Sequence, residues 1–207
     1  MMKKKTEQLP GNRWRNYFVN LLYINFGILF LIALLIFWPV SSSEYPTTKP
    51  VDYHDSSEFV VRTTKQNLND LVNAYINKFL EKTNHRYSVS LEEDVHLQGD
   101  LPVFSTTVPL SIHLEPIVQE DGNVILKQRS ISLGLLQLPN KKIMEYMKKS
   151  LPMPDWVVVN PKEEEIYVAV TEMDIKSNFQ VAIEQFDVEA NHFAFRIRIP
   201  YSTLGID

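Results

Sequence analysis

The sequence has no cysteine and only 6 glycines among its 207 residues. The lack of cysteine excludes a disulfide framework, a cysteine nucleophile, thiolate metal ligands and a lipid-modified N-terminal cysteine. The few glycines leave little room for loops that cradle phosphate, and neither a P-loop nor a G-x-G-x-x-G pattern is present. We therefore expect the protein to use no nucleotide or other cofactor.

Recognisable catalytic patterns are also missing from the chain. The five histidines are scattered, none lies in an H-E-x-x-H pattern, and no G-x-S-x-G elbow marks a serine hydrolase. The charge runs at 92–94 and 162–166 are typical of solvated loops and edges. His96 and His113 fit the polar face of a strand. The sequence therefore predicts no catalytic residue, no metal ligand and a protein that is not an enzyme.

The chain does contain a basic N-terminus followed by a long apolar run. Residues 1–16 carry five lysines and arginines against one glutamate. Residues 17–40 form an uncharged stretch of 24 residues, and a membrane-spanning helix needs about 20 apolar residues. Trp14, Tyr17, Tyr23 and Trp38 suit the two membrane–water interfaces. The pattern predicts a transmembrane segment at 17–40.

A cleaved signal peptide is the alternative explanation of this run. Its apolar region is about 7–15 residues long and is followed by small residues at the cleavage site. The run at 17–40 is longer, and "FWPVSSSEYP" is a poor site of that kind. We predict an uncleaved signal anchor in the cell membrane, with the arm 1–16 cytoplasmic and the C-terminal domain extracytoplasmic.

The charge balance limits the partners of the extracytoplasmic part. The whole chain has a formal net charge of -4 even though its N-terminal arm is basic, so the rest of the chain is acidic. Nucleic-acid binding requires a basic patch, which argues against such a partner. An acidic domain is also not attracted to anionic lipid head groups. Any lipid contact outside the membrane would therefore be mainly apolar.

Composition and periodicity divide the remaining chain into a linker and one α+β domain. Residues 41–58 are rich in Ser, Thr and Pro, which predicts a linker, and residues 59–207 form the domain. Thr63 and Gln66 match a capping box. Apolar residues then recur in steps of three and four, which predicts a helix of about four turns. These residues are Leu68, Leu71, Val72, Tyr75, Ile76, Phe79 and Leu80.

The residues after 86 alternate between apolar and polar, as in antiparallel strands with one apolar face. A hairpin is expected at Asp121-Gly122. The stretch "ISLGLLQLPNKKIMEYM", 131–147, then changes from strand to helix, and Pro139 suits the first turn of that helix. Its apolar stripe consists of Ile143, Met144 and Met147. We expect Ile131, Leu133 and Leu135 to face inward, and further strands to follow up to residue 199.

Four stretches resemble the YpmS-like family of Gram-positive bacterial membrane-anchored proteins. They are "SEFVVRTTKQNLNDLVNAYI", "YSVSLEEDVHLQGDLPVF", "VPLSIHLEPIVQEDGNVILKQRSISLGLLQLP" and "FRIRIP". The stretch "GNVILKQRSISLGLLQLPNKKIMEYM" is also similar to bacterial members of the tubular lipid-binding (TULIP) superfamily. In those proteins an antiparallel sheet coils around a long helix, and lipids lie in the apolar groove between them. The resemblance implies a curved antiparallel sheet wrapped around a long amphipathic helix.

The same resemblance implies a lipid-binding groove, whereas periodicity alone favours an ordinary closed α+β core. The groove would be lined by Leu68, Leu71, Val72, Tyr75, Ile76, Phe79, Leu110, Ile112, Ile131, Leu133, Leu135, Ile143, Met144, Met147, Phe193 and Phe195. We expect a membrane-anchored binding protein that holds a lipid or another acyl-bearing envelope molecule, and that passes it onward. The alternative is a non-enzymatic adaptor for an envelope enzyme or membrane partner, without lipid.

Overall fold

The computed structural model describes residues 13–40, 42–46, 56–103, 106–135, 137–175 and 178–204, and in these it has three α-helices and nine β-strands. The helices are α1 (Arg13–Phe37), α2 (Lys65–Leu80) and α3 (Asn140–Ser150). The strands are β1 (Ser56–Thr63), β2 (Tyr87–Leu91), β3 (Val95–Val103), β4 (Thr106–Val118), β5 (Val124–Leu133), β6 (Val157–Asn160), β7 (Glu165–Val168), β8 (Gln180–Asp187) and β9 (His192–Pro200).

The predicted apolar segment is helical and forms α1, which ends just before Pro39. Trp14–Phe37 has a mean hydropathy of 2.4, so by length and composition α1 is able to cross a membrane. Asn25 is tolerated within it because its side-chain amide donates to the Leu21 carbonyl at 2.8 Å. Residues 1–39 and 40–207 are separate compact units. Residues 1–12 of the basic arm lie outside the described residues.

The helix predicted from the first apolar stripe is confirmed as α2, but its predicted cap is wrong by one residue. Thr64 is the N-cap, because its hydroxyl accepts from the Asn67 amide at 3.3 Å. Thr63 is the last residue of β1 and pairs with Phe193 in β9. The capping-box residues predicted from the sequence, Thr63 and Gln66, are therefore each displaced by one position.

All the strands pair antiparallel, in two sheets. Six strands follow the order β2-β3-β4-β5-β7-β6, and three follow the order β1-β9-β8. The sheet curls into a half-barrel, so the predicted α+β class with a curved antiparallel sheet is confirmed. β1 begins at Ser56, within the stretch 41–58 that composition assigns to the linker. Residues 41 and 47–55 of that stretch lie outside the described residues.

The two sheets meet at the β4–β5 hairpin, whose turn is the predicted Asp121-Gly122. Gly122 has a φ of 84°, and a side chain there would lie 2.5 Å from Ala182 Cβ in β8. Its carbonyl accepts from the Ile183 amide at 2.7 Å. Glycine is required here for two reasons. It has no Cβ that would collide with Ala182, and other residues rarely adopt this positive φ. The turn therefore connects the six-stranded sheet to the three-stranded one.

The main core lies between α3 and the six-stranded sheet. Ile143, Met144 and Met147 of α3 are all buried, as the second predicted stripe requires. They belong to one cluster with Leu110 and Ile112 of β4, and Phe193 of β9 closes it from the three-stranded sheet. α3 is thus the helix whose whole apolar face is covered.

Residues 42–46, which we call the strap, lie against β6 and β7. The Ser43 hydroxyl donates to the Val159 carbonyl at 2.7 Å. The Tyr45 ring lies 4.5 Å from the Tyr167 ring, centroid to centroid, and its hydroxyl donates to Glu165. The strap therefore packs on the domain, although its composition is typical of a linker.

Candidate functional site: the open apolar face of α2

Asparagine side chains hold α2 against the outer edge of β2, the first strand of the six-stranded sheet. Asn73 Nδ2 donates to the Val89 carbonyl at 2.7 Å, and Asn73 Oδ1 accepts from the Val89 amide at 3.0 Å. One turn earlier, Asn69 Oδ1 accepts from the Leu91 amide at 3.3 Å. An edge strand otherwise presents unpaired backbone groups. These amides take the place of a neighbouring strand and fix α2 at the edge of the sheet.

This position leaves most of the apolar stripe of α2 incompletely covered. Only Leu68 and Leu80, near the two ends of the helix, are buried. Leu71 is 69% exposed and Tyr75 is 39% exposed. Helices of soluble domains normally bury such a stripe against the core. The partly covered remainder, Leu71, Val72, Tyr75, Ile76 and Phe79, is called the α2 face below.

The α2 face contains two aromatic rings, Tyr75 and Phe79, and a third ring, Trp156, lies against Tyr75. Tyr75 and Phe79 are stacked, with ring centroids 6.3 Å apart and planes 9° from parallel. The Tyr75 centroid is also 5.5 Å from that of Trp156, which immediately precedes β6. Trp156 is held in place because its carbonyl accepts from the Ala169 amide at 2.8 Å. The rings present flat apolar surfaces that are well suited to contact with an alkyl chain.

β2 and the turn after α3 are tied together next to this face. The Tyr87 hydroxyl of β2 donates to the Pro152 carbonyl at 2.7 Å. Burial raises the pKa of Tyr87 to about 12, with a further contribution from Tyr75. Tyr87 therefore stays neutral and keeps its proton for the bond to Pro152 at any physiological pH. β2 and the turn that ends at Trp156 thus both lie beside α2.

The residues predicted to line a groove fall into three groups in the structure. Buried in the main core are Leu68, Leu110, Ile112, Leu133, Ile143, Met144, Met147 and Phe193. Partly buried against that core are Val72, Ile131 and Phe195. Outside it, and at least partly exposed, are Leu71, Tyr75, Ile76, Phe79 and Leu135. The first group is interior packing, and four of the last group belong to the α2 face.

Among the residues predicted to line the groove, Leu135 lies neither at the main core nor on the α2 face. It is fully exposed, so the expectation that it faces inward with Ile131 and Leu133 is wrong. β5 ends at Leu133, and Gly134 turns the chain with a φ of 55° while its amide donates to the Pro109 carbonyl at 2.8 Å. Strand alternation stops at this glycine, so it no longer sets the direction of Leu135.

Two open surface depressions lie next to the ends of α2. One of about 580 Å³ borders the N-terminal end at Thr64, Lys65 and Asn69. The other, of about 780 Å³, borders the C-terminal end at Asn77 and Leu80 and reaches Gly99 of β3. Most of the residues around both are polar, and neither is an enclosed apolar cavity. Among the described residues, no group of three or more His, Asp or Glu side chains is placed to hold a metal ion.

Sequence reasoning missed two parts of this site. The role of Asn69 and Asn73 was not predicted, although their spacing of four residues places them on one helix face. The contribution of Trp156 was also missed, because it follows a turn and belongs to no periodic pattern. All three residues contribute through neighbours that are distant in sequence, which local periodicity does not report.

The comparisons with known proteins agree with the family resemblance. A family model described as "Uncharacterized protein conserved in bacteria (DUF2140)" matches residues 12–199. The "Uncharacterized protein YpmS" of Bacillus subtilis (strain 168) is 30% identical over 186 residues, which cover 89% of this chain and 96% of that protein. No solved structure matches the chain. The predicted resemblance to YpmS-like proteins is therefore confirmed.

Proposed function

The chain belongs to the DUF2140 family of bacterial proteins, and for this member we propose an extracytoplasmic binding module that holds an acyl chain along the α2 face. The anchor at 17–40 keeps the domain at the membrane, and the ligand is a lipid or another acyl-bearing envelope molecule. The observation that carries the proposal is the aromatic cluster of Tyr75, Phe79 and Trp156 on an incompletely covered helix stripe.

The energy of such binding would come from removing apolar surface from water. Each CH₂ group that is buried contributes about 0.8 kcal/mol. An acyl chain lying on Tyr75 and Phe79 would cover its own methylenes and the exposed part of the rings together. The methionines Met144 and Met147 are buried in the main core and would not touch the ligand. This assignment makes the α2 face, rather than the interior, the place where the TULIP-like groove is expected.

The anchor and the acidic charge of the domain fit the same proposal. A single span with a cytoplasmic N-terminus would tether the domain to the outer side of the membrane. An acidic domain is not drawn to anionic head groups. Selection would therefore depend on the acyl chain, and release of the chain toward a second acceptor would make the module a transfer protein.

A photoactivatable phospholipid with the reactive group in its acyl chain tests the proposal. The full-length protein is reconstituted in bilayer nanodiscs that contain this lipid, irradiated and mapped by peptide mass spectrometry. We expect adducts on 65–80 and on 151–156, in addition to adducts on α1 that serve as the internal positive control. The double variant Tyr75→Ser/Phe79→Ser should give at least fivefold fewer adducts on the domain and an unchanged yield of adducts on α1.

A matched control removes comparable apolar groups elsewhere on the domain. Tyr146 is 38% exposed and Leu138 is 41% exposed, so Tyr146→Ser/Leu138→Ser should leave the adducts on 65–80 unchanged. The proposal fails if adducts form only on α1. It also fails if both double variants reduce the domain adducts equally, since that result reports general proximity to the membrane.

A protein partner is the second candidate, and the loop after β5 favours it. Leu135 is fully exposed at a turn, and residues 130–140 carry no charge. Exposed leucines in a neutral loop are candidate anchors for a protein pocket. A photoreactive amino acid at position 135 should then capture one protein reproducibly in cells, whereas the same amino acid at the exposed position 71 should not. Equal capture from both positions would argue against this candidate.

A further inference from the structure

The strand β1 has an open edge with apolar side chains on both of its faces. It lies at one end of the three-stranded sheet and pairs with β9 on its inner side only. Phe59, Val60 and Val61 are 53%, 48% and 44% exposed. No other described strand pairs with its outer edge, so a row of backbone donors and acceptors is available there.

Two of the devices that normally block edge pairing, proline and β-bulges, are missing from this strand. β1 contains neither proline nor glycine, and it pairs with β9 over its whole length without a register shift. β2, at the end of the other sheet, is by contrast covered by Asn69 and Asn73 of α2. A regular edge with exposed apolar side chains, which no described strand pairs with, is a template for another strand.

The charges of β1 are arranged to match a second copy of β1. In an antiparallel pair, opposite residues belong to the same hydrogen-bonding class, so the two-fold axis of a symmetric pair passes through a residue. With the axis at Val60, Glu58 lies opposite Arg62 of the second copy, and Arg62 lies opposite its Glu58. Opposite charges in this position stabilise a pair of strands.

The other symmetric registers are less favourable. An axis at Phe59 places Glu58 opposite Val60, and an axis at Val61 places Arg62 opposite Val60. Both place a charge opposite an apolar residue, and the axis at Val61 also pairs a shorter stretch of β1, 59–63 instead of 57–63. The axis at Val60 also places Phe59 opposite Val61, an aromatic and β-branched pair of the kind that stabilises sheets. The sequence of β1 thus specifies one self-complementary register.

The existing partners of these charges leave them able to engage a second copy. Glu58 pairs with two arginines of β9, with Arg198 Nη2 at 2.8 Å and with Arg196 Nε at 3.2 Å, and its side chain is still 45% exposed. Arg62 lies opposite Ala194 in β9, which supplies no charge. Pairing at the outer edge would therefore give Arg62 a carboxylate and would add a third cation to Glu58, whose two oxygens can each accept more than one hydrogen bond.

We propose that two copies of this chain associate by antiparallel pairing of β1 with β1 about Val60. The two three-stranded sheets then form one continuous sheet, with β8 at each outer end. The interface is isologous, so each copy contributes the same residues. It covers Phe59, Val60 and Val61 on both copies and does not use the α2 face. This inference is independent of the acyl-binding proposal.

Disulfide trapping tests the register directly, because the natural chain has no cysteine. A single cysteine is introduced as Val60→Cys in the full-length protein in native membranes and is oxidised mildly. The two Cβ atoms opposite each other in such a pair lie about 4.5–5.5 Å apart, close to disulfide geometry. We expect a dimer whose linked peptides both contain position 60. Leu71→Cys, at a more exposed position, should give at least fivefold less dimer.

The charge reversal Arg62→Glu tests the complementarity. Added to Val60→Cys, it places glutamate opposite Glu58 of the second copy and should reduce trapping at least fivefold. Lys82→Glu makes the same charge change at an exposed position away from β1 and should leave trapping unchanged. A thermal melt of each variant checks that the fold is retained. The proposal is overturned if Val60→Cys traps no more than Leu71→Cys, if it traps a different protein, or if Arg62→Glu has no effect.

Discussion

The imidazole rings of His96 and His113 stack on the outer face of the six-stranded sheet, with their centroids 4.0 Å apart. The two residues are direct cross-strand partners in β3 and β4. His113 Nδ1 lies 3.1 Å from an Asp94 carboxylate oxygen, and His96 Nε2 lies 2.8 Å from the Ser111 hydroxyl. Burial lowers the pKa of His96, and the neighbouring His113 lowers it further. Two positive charges on these rings would be unfavourable at this distance.

The first prediction concerns the stability of the domain at acidic pH. The folded pKa of His96 lies below the unfolded value of about 6.5, so the unfolded chain takes up a proton first as the pH falls. The free energy of unfolding should then decrease from about pH 6.5 down through the folded pKa. His96→Gln should reduce the loss of melting temperature between pH 7.5 and 5.5. His192→Gln, an exposed control in β9, should keep the full loss, and equal losses in His96→Gln and the natural protein would contradict the prediction.

Asn123 is a buried polar residue whose side chain is fully bonded. Its Nδ2 donates to Asp121 at 2.8 Å and to the Tyr167 hydroxyl at 2.9 Å. Its Oδ1 accepts from both the amide and the hydroxyl of Thr171, each at 3.0 Å. The network joins the β4–β5 turn to β7 and to the turn that follows it. Each unsatisfied buried partner costs about 1–3 kcal/mol.

The second prediction is that Asn123→Ala lowers the free energy of unfolding by about 2–4 kcal/mol, because it leaves the amide and the hydroxyl of Thr171 without their acceptor and removes one of the two bonds of the Tyr167 hydroxyl. Tyr167→Phe removes only one hydroxyl from the same network and should cost about 1 kcal/mol. Urea unfolding followed by tryptophan fluorescence measures both. If the two variants were equally stable, the asparagine would not be the centre of the network.

The third prediction separates core residues from surface residues among those predicted to line the groove. Met144 is fully buried against the six-stranded sheet, whereas Leu71 is 69% exposed on α2. Met144→Ala should cost about 2–5 kcal/mol of stability, since it leaves a cavity. Leu71→Ala should change stability by less than about 0.5 kcal/mol. A large effect of Leu71→Ala on unfolding of the ligand-free protein would show that the α2 face is covered in solution.

Periodicity shows which residues share one face of a helix, and this limits how much of the site can be predicted from the sequence. The stripe on α2 and the stripe on α3 have the same spacing, and both helices form where predicted. Periodicity does not distinguish Met144, which faces a sheet, from Leu71, which lies beyond a sheet edge, because that difference depends on residues distant in sequence. Asn73 makes one such distant contact, because its bond to Val89 holds α2 at the edge of the sheet. Leu135 was mispredicted for a local reason, the left-handed turn at Gly134.

The fourth prediction concerns the strap, residues 42–46, and the carboxylate that it covers. Glu165 is buried, and it accepts from the Tyr45 hydroxyl through one oxygen and pairs with Lys127 at 3.2 Å through the other. Asn160 Nδ2 donates to the Tyr45 hydroxyl at 2.8 Å. Burial, followed by the bond to Glu165, raises the pKa of Tyr45, so its proton is retained for that bond.

Tyr45→Phe keeps the ring on Tyr167 but leaves Asn160 Nδ2 and one Glu165 oxygen without the hydroxyl that joins them. We expect it to lower the free energy of unfolding by about 1–2 kcal/mol, and to increase the rate of limited proteolysis between residues 40 and 55 severalfold. Tyr146→Phe is the matched control, because Tyr146 is equally exposed, at 38%, and its hydroxyl donates to a single carbonyl, that of Pro102. It should not change proteolysis at 40–55. Unchanged cleavage in Tyr45→Phe would mean that ring packing and Ser43 hold the strap without this hydroxyl.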